Sequence, residues 1–260
     1  MRVVAKLGTS SLTDEHGVIS HEAISKASAE VAELRRDGHE VLLVSSGSIA
    51  SGLPALGIGA ADRPRDARTL QAISAVGQVQ LMRTWNDALA AHDLVAGQVL
   101  LAPFDFMVRA QYLHARGTLE RLLELGVVPI VNENDAVADD EIRFGDNDRM
   151  AALVSHLLRA DLLVLLTDAP GLMDADPRVE PGASLISEIA EVDHELESVA
   201  GGAGTVRGSG GMASKLAAAK MASWSGVRTV IAAAERPQVL VDAVASRPGV
   251  GTTVLARDRR

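Results

Sequence analysis

The chain has 260 residues, of which 47% are hydrophobic and 23% charged, and its formal net charge is −9 at pH 7. This length and composition indicate a globular protein with a large core rather than a disordered chain. The negative charge and an aromatic content of only 2% disfavour a nucleic-acid partner, because cations attract phosphates and aromatic rings stack on unpaired bases. Without cysteine there can be no disulfide, thiolate metal site or cysteine nucleophile. We expect a soluble cytoplasmic protein with no membrane partner, because the sequence contains neither a signal-type segment nor an apolar run of membrane-spanning length.

The first half of the chain alternates short β-type runs with helical patterns. The predicted strands are Arg2–Leu7, Glu40–Val44, Leu94–Leu101 and Val127–Val131. The predicted helices are His21–Arg36, a segment that begins near Ile49, a long pattern from Leu70 to Leu89, and Tyr112–Leu125. A polar connector over residues 57–66 precedes the long helix, which we expect to be the structural spine.

The second half continues the alternation. Its predicted helices are Arg149–Arg159, Val192–Ala200, Leu216–Trp224 and a segment near Gln238–Ala245, and its predicted strands are Asp161–Leu166, Arg228–Ala232 and Thr252–Ala256. The aliphatic run at Asp161–Leu166 is typical of a central parallel strand. The regular alternation predicts an α/β fold in which helices cover both faces of a mostly parallel sheet.

Polar or glycine-rich clusters occur where strands end or helices begin. They lie at residues 8–10, 46–48, 132–135, 145–148, 167–168 and 208–215. The carboxyl ends of parallel strands face the ligand crevice of such sheets, so these clusters predict one binding region. Candidate binding and catalytic side chains are most concentrated in residues 127–148. Within this segment, residues 136–144 are expected to form a small hairpin or flap. A solvated loop between a strand and a helix is the alternative for this segment.

Two lysines accompany these clusters. Lys6 lies inside the first strand, and Lys215 lies in about the first turn of a helix that follows a glycine-rich run. Each has a structural alternative: an edge-strand lysine that reaches water, and a flexible loop capped by a helix. The residues Ser45–Ser48 indicate an anion site at a helix start or simple helix capping. Two lysines beside glycine-rich turns, with no Ser-His-Asp or metal-ligand pattern, favour phosphoryl transfer, which depends on positioning and charge neutralisation.

Five ordered motifs, which span nearly the whole chain, carry a resemblance to a known family. They are KLGTS at 6–10, SSGSIASG at 45–52, VNENDAVADDEIRFGDND at 131–148, LLTDAPGL at 165–172 and GSGGMASK at 208–215. With them the chain resembles the glutamate 5-kinases of the amino acid kinase family. The resemblance implies a three-layer αβα sandwich and the reaction of ATP with L-glutamate to ADP and γ-glutamyl phosphate, the first step of proline biosynthesis.

The same resemblance implies roles for individual residues. The residues implied to be catalytic are Lys6, Lys215 and Asp148, with Asp148 holding the lysines. Those implied to bind glutamate are Ser46, Gly47, Asn132, Asp135, Asp146 and Asn147. Those implied to bind ATP are Lys6, Gly8, Thr167, Asp168, Ser209, Gly210, Gly211, Met212, Ala213, Ser214 and Lys215. ATP is expected to carry Mg²⁺, and no protein metal ligand is assigned.

The resemblance also implies a homo-oligomer, a dimer or tetramer, and inhibition by proline. We expect residues 1–260 to form a single amino acid kinase domain with an amino-acid-binding N-terminal part and an ATP-binding C-terminal part. Many members carry an additional C-terminal domain, which this sequence does not include. Two rival functions are another kinase of the family, acting on a different acid or a nucleoside monophosphate, and a non-catalytic amino-acid sensor. Retention of both lysines and Asp148 speaks against the sensor, because binding glutamate does not require them.

Overall fold

The computed structural model describes residues 1–14, 16–137, 147–175, 180, 182–194, 196–197 and 211–257. The strands are β1 (Arg2–Leu7), β2 (Glu40–Ser45), β3 (Ala96–Leu101), β4 (Val128–Glu133), β5 (Leu162–Thr167), β6 (Glu188–Ile189), β7 (Arg228–Ala233) and β8 (Thr252–Val254). They form an eight-stranded sheet in the order β3-β4-β2-β1-β5-β7-β8-β6. The fold is therefore α/β with a mostly parallel sheet, as the alternation of patterns predicts.

The helices of the described residues lie between these strands. They are α1 (Thr9–Leu12), α2 (His21–Arg36), α3 (Ser48–Ala55), α4 (Ala67–Ala90), α5 (Pro103–Met107), α6 (Arg109–Glu124), α7 (Asn147–Leu158), α8 (Met212–Trp224) and α9 (Val239–Val244). Short 3₁₀ turns occur at Ala60–Asp62 and Asp135–Val137. None of the helices in this part of the chain is long and apolar enough to cross a membrane.

The chain divides into two compact units. The first unit comprises Met1–Lys6 and Gly145–Arg260, and the second comprises Leu7–Phe144. The N-terminal lysine strand therefore belongs with the C-terminal half of the sequence. The expectation of a single domain over residues 1–260 stays a prediction.

In the first unit the core is built on β5, which is buried along its whole length. It pairs in parallel with β7, in a register that runs from Leu162 opposite Arg228 to Thr167 opposite Ala233. The strand β8 pairs antiparallel with β7 and parallel with β6. The backbone N–H of Arg2 donates to Asp161 Oδ2 at 2.6 Å, and Asp161 N–H donates to Arg2 O at 2.9 Å. These bonds fix the start of β1 beside the start of β5.

In the second unit the strands β2, β4 and β3 are parallel neighbours. The helix α2 begins at a Ser20 cap, whose hydroxyl accepts from Ala23 N–H, and the side chains of Ile24, Ala27, Val31 and Leu34 are buried. This is the face that the apolar spacing predicts. The helix α4 begins at Asp66, whose carboxylate accepts from Thr69 N–H at 2.9 Å. That bond lowers the pKa of Asp66, because it favours the charged form of the cap.

Most predicted elements are present with boundaries that differ by up to a few residues, and the end of β4 is the most informative difference. The strand β4 does not end at Val131 but continues through Asn132 and Glu133, which lie opposite Leu100 and Leu101 of β3. Backbone pairing extends the strand although its side chains have become polar, because ladder hydrogen bonds use main-chain groups. The short α1, α5 and β6 were not predicted. The predicted flap falls almost entirely outside the described residues, and the predicted helix Val192–Ala200 falls partly outside them.

Candidate active site

Two lysines share one carboxylate in the first unit. Lys6 Nζ lies 2.6 Å from Asp148 Oδ1, and Lys215 Nζ lies 3.1 Å from Asp148 Oδ2. Asp148 is fully buried, and the two lysines are only 3% and 4% exposed. Burying a charge is costly unless the charge is paired, so the three groups depend on one another. Lys6, Asp148 and Lys215, which come from three separate sequence motifs, thus form a single constellation.

The electrostatics of this constellation keep Asp148 ionised. Burial raises the pKa of Asp148, but the positive charges of Lys6 and Lys215 lower it by more, so the pKa lies below the usual range of an aspartate. Asp148 is charged at neutral pH. Its stabilising contribution is therefore present above the pKa of an unfolded aspartate and is lost as pH falls through the lowered pKa of the folded state.

Three different elements position these side chains. Lys6 is the fifth residue of β1, Asp148 the second residue of α7, and Lys215 the fourth residue of α8. Lys6 lies in a buried strand, and its ammonium group is held at the ion pair with Asp148. Ser214 donates a long hydrogen bond of 3.4 Å to Asp148 Oδ2, beside the bond from Lys215. Gly211 caps α8 in an extended conformation, and Met212 and Ala213 open the helix after it.

The remaining residues assigned to ATP are placed as follows. Thr167 is the last residue of β5, and its hydroxyl donates to Asp168 Oδ1 at 3.1 Å. Thr167 is buried and Asp168 is exposed, so this pair ends a core strand at the surface. Gly8 belongs to the second unit, where it precedes α1. Asp146, Ser209 and Gly210 lie outside the described residues.

A second polar cluster lies in the second unit around Asp135. Asp135 Oδ2 accepts hydrogen bonds from Ser74 Oγ at 2.7 Å and Ser48 Oγ at 3.1 Å. Both serines are 4% exposed, whereas Asp135 is half-buried. The two hydroxyls fix the orientation of a carboxylate that keeps some access to solvent. Such a carboxylate is a suitable acceptor for an ammonium group.

Asn132 belongs to the same unit and bonds to the long helix. Its Nδ2 donates to Gln78 Oε1 at 2.9 Å, and its Oδ1 accepts from Glu133 N–H at 2.9 Å. Asn132 and Gln78 are 2% and 7% exposed. Of the other residues assigned to glutamate, Ser46 and Gly47 lie in this unit between β2 and α3, and Asn147 lies in the first unit at the start of α7.

A close crossing of α3 and α4 brings the two serines to Asp135. A Cβ atom at Gly77 would lie 1.7 Å from Ser48 O, and one at Gly52 would lie 2.1 Å from Ile73 O. Glycine at both positions lets the two helix backbones touch. Gly47, at a φ of +106°, turns the chain from β2 into α3 immediately before Ser48. The glycines therefore determine where the serine hydroxyls lie.

Comparisons with known proteins identify the family of this chain. The model of the amino acid kinase family matches residues 1–233. The chain belongs to the amino acid kinase family. It is 48% identical over 259 residues to the glutamate 5-kinases of Burkholderia mallei strain SAVP1 and Burkholderia thailandensis. Each match covers 100% of this chain and 69% of the relative. Within the family, it therefore belongs with the glutamate 5-kinases.

Solved structures of two other kinases show the same fold at much lower sequence identity. The carbamate kinase of Giardia lamblia, bound to AMP-PNP, superposes with a TM-score of 0.66 at 18% identity and covers 98% of both chains. The UMP kinase of Ureaplasma parvum superposes with a TM-score of 0.64 at 14% identity, again over 98% of both chains. At these identities the likeness establishes the fold and leaves the substrate open.

Two polar residues of α4, Ser74 and Gln78, were missed by sequence reasoning as binding candidates, whereas Ser48 lies in the segment Ser45–Ser48 that the sequence marks as a possible anion site. A signal existed for both. Ser74 and Gln78 are four residues apart in α4, on the face that buries Ile73 and Leu81. Polar side chains on the buried face of an amphipathic helix need a polar partner, and this pair could have been singled out for that reason.

Proposed function

We propose that the chain catalyses transfer of the γ-phosphoryl group of ATP to the γ-carboxylate of L-glutamate, which yields ADP and γ-glutamyl phosphate and opens proline biosynthesis. The observation that carries the proposal is the pair of buried lysine ammonium groups held on the two oxygens of Asp148. Phosphoryl transfer requires charge neutralisation on the equatorial oxygens of the transferring group, and ammonium groups fixed in a buried site provide it without reorganisation. The family membership agrees with this reaction.

The chemistry needs little beyond positioning. A carboxylate with a pKa near 4.3 is already ionised at neutral pH, so the attacking oxygen of glutamate requires no general base. That oxygen forms a bond to the γ-phosphorus while the bond from this phosphorus to the bridging oxygen of ADP breaks. Lys6 and Lys215 would donate to the oxygens on which charge accumulates, and Asp148 would keep both ammonium groups in place. The lack of a Ser-His-Asp pattern in the sequence agrees with such a mechanism.

The Asp135 cluster supports binding of an amino acid. A carboxylate held by two serine hydroxyls is a complementary partner for the α-ammonium group of glutamate. We also assign Ser46, Gly47, Asn132, Asp146 and Asn147 to glutamate, as the family resemblance implies. A phosphate-bearing substrate such as UMP would instead favour basic side chains around this cluster.

For ATP, we assign Gly8, Thr167, Asp168 and residues 209–215 together with Lys6. The N-terminus of α8 supports this assignment, because the first N–H groups of a helix favour a phosphate. Mg²⁺ would enter with ATP and neutralise phosphate charge. Among the described residues, no group of three or more acidic or histidine side chains is placed to hold a metal ion. The reaction would take place in the cytoplasm, where ATP and glutamate are available.

The direct test is an assay of ADP release by the whole chain with Mg²⁺-ATP and a panel of acceptors. The panel contains L-glutamate, L-aspartate, N-acetyl-L-glutamate, carbamate and UMP. We expect turnover with L-glutamate and rates at least about tenfold lower with the others, because only glutamate offers an ammonium group and a γ-carboxylate at the right separation. Preferred turnover of UMP or carbamate would assign the chain to another branch of the family. No turnover with any acceptor would support the sensor.

We further propose that L-proline inhibits the enzyme in competition with glutamate. Proline carries the same α-carboxylate and a cationic α-amino group but lacks the side-chain carboxylate, so both ligands could use Asp135 as an anchor. Inhibition must then disappear as glutamate rises. Initial rates over a grid of glutamate and proline concentrations test this proposal. Inhibition that persists at saturating glutamate would indicate a separate site, and none at millimolar proline would refute it.

A further inference from the structure

The side-chain amide of Gln78 presents a buried donor with no protein acceptor among the described residues. Gln78 lies on α4 and is 7% exposed, and its Nε2 has no hydrogen-bond partner there. Buried N–H groups without an acceptor are rare and costly in native proteins. Such a donor in a polar cluster is available to an acceptor from a ligand.

The orientation of this amide follows from its neighbours. The Glu133 N–H donates to Asn132 Oδ1, and this bond turns Asn132 Nδ2 toward the long helix. Asn132 Nδ2 can only donate, so Gln78 must present its oxygen, at 2.9 Å. A flip of the Gln78 amide would place two N–H groups against each other. The two donors on Gln78 Nε2 are thus directed away from Asn132.

The donor lies beside the acceptor already assigned to an ammonium group. Gln78 follows Ser74 by four residues on α4, so their Cβ atoms are about 5–6 Å apart on one helix face. Ser74 donates to Asp135 at 2.7 Å. The cluster therefore offers a carboxylate acceptor and amide donors side by side. An α-amino acid carries the complementary pair, an ammonium group and a carboxylate, on a single carbon atom.

We propose that Gln78 is a specificity-determining residue whose Nε2 donates to the α-carboxylate of the amino-acid substrate while Asp135 accepts from its α-ammonium group. This inference rests on the proposed function, because it names the group that recognises the substrate's head. A residue of α4 would thus distinguish substrates that carry a carboxylate on the α-carbon from those that carry another group there. The γ-carboxylate, which is the acceptor of the phosphoryl group, is left to other residues.

The test changes both partners of the proposed contact, the α-carboxylate of the substrate and the amide of Gln78. L-isoglutamine is glutamate with an α-carboxamide in place of the α-carboxylate, and it retains the γ-carboxylate that reacts. The measured quantity is the ratio of kcat/KM for glutamate to kcat/KM for isoglutamine. In the wild type this ratio should exceed one, because Gln78 donates to the charged α-carboxylate of glutamate. The carboxylate introduced by Gln78→Glu should repel the α-carboxylate and accept from the carboxamide, so the ratio should fall by about 10²-fold or more, while the KM for ATP changes little.

A matched control lies two residues further along the same helix. Gln80 is exposed, so Gln80→Glu adds the same charge to α4 outside the cluster and should leave the ratio unchanged. Gln78→Met removes the donors without adding charge and provides a second variant in case Gln78→Glu does not fold. It should lower the ratio by about 10- to 10²-fold, the value of one hydrogen bond to a charged group.

The outcomes separate this inference from the proposed function. The wild type alone tests the function, because it must turn over glutamate. The inference is judged only by the change in the ratio among the variants. A ratio within about threefold of the wild-type value in both folded Gln78 variants overturns it, even if absolute rates fall, since a merely structural glutamine would affect the two substrates equally.

Discussion

At the scale of single residues, the central feature is a carboxylate that is ionised because two lysines surround it. Asp148 is buried, and burial alone would raise its pKa, yet Lys6 and Lys215 hold the pKa low. The three charges are therefore interdependent in folding as well as in the proposed chemistry. A substitution at any of them has to be examined for stability before its kinetics are interpreted.

We predict that Lys6→Ala and Lys215→Ala each lower kcat by about 10²- to 10³-fold, which is the usual effect of deleting one preorganised charge-stabilising group. Steady-state kinetics at saturating ATP and glutamate measure this effect, with folding checked by thermal unfolding. Lys220→Ala is the control on α8, because Lys220 pairs with Glu197 at 2.5 Å, away from Asp148. A lysine variant that folds and keeps a near-wild-type kcat would remove that lysine from the mechanism.

Asp135 provides a separate prediction about binding. Asp135→Ala removes the acceptor proposed for the substrate's ammonium group and should raise the KM for glutamate by about 10- to 10²-fold, with little change in the KM for ATP. Asp87→Ala, at an exposed position of α4 whose ion pair with Arg83 is 3.9 Å long, is the control. Equal increases in both KM values would mean that the division of the two ligands between the assigned residues is wrong.

At the scale of elements, the site depends on the crossing of α3 and α4. Gly77 is the contact point, and the Asp135 cluster includes one serine from each helix. An alanine at Gly77 would gain helix propensity, worth about 1 kcal/mol. Its Cβ would however overlap backbone atoms of Ser48 and Gly52, which cannot rotate away.

We therefore predict that Gly77→Ala lowers the free energy of unfolding by about 1–3 kcal/mol and also raises the KM for glutamate, because the displaced helices separate Ser48 and Ser74. Chemical denaturation and steady-state kinetics measure the two effects. Gly117→Ala in α6 is the control, since a Cβ there meets no atom within 4 Å, and it should be neutral or slightly stabilising. An equally stable Gly77→Ala variant would contradict the crossing geometry.

The elements also show what the sequence could and could not predict. Aliphatic runs and helical spacing were sufficient for β1, β5 and α2, because burial alone explains those patterns. The end of β4 could not be predicted, since Asn132 and Glu133 are paired through their backbones. Likewise, the partners of Asp135 depend on a helix crossing that no local pattern encodes. The Lys6–Asp148–Lys215 constellation was anticipated because its motifs match the family, and no spacing rule alone would have joined residues so far apart in sequence.

At the scale of the whole molecule, the family resemblance predicts a homo-oligomer, a dimer or tetramer, as closed symmetry commonly provides. Light scattering at the assay concentration should give a mass at least twice the 27.2 kDa of one chain. The measurement should be repeated at several protein concentrations, because mass action governs assembly. A mass of one chain throughout would contradict the prediction.

The identity of the product shows whether the phosphoryl group is transferred to the γ-carboxylate of glutamate. Hydroxylamine attacks the acyl carbon of an acyl phosphate and releases inorganic phosphate, so turnover with Mg²⁺-ATP, L-glutamate and excess hydroxylamine should yield γ-glutamyl hydroxamate in proportion to ADP. The same assay with Lys215→Ala should lose hydroxamate and ADP in parallel. ADP formation without hydroxamate, or a hydroxamate at the α-carboxylate identified by mass spectrometry, would mean that the γ-carboxylate is not the phosphoryl acceptor.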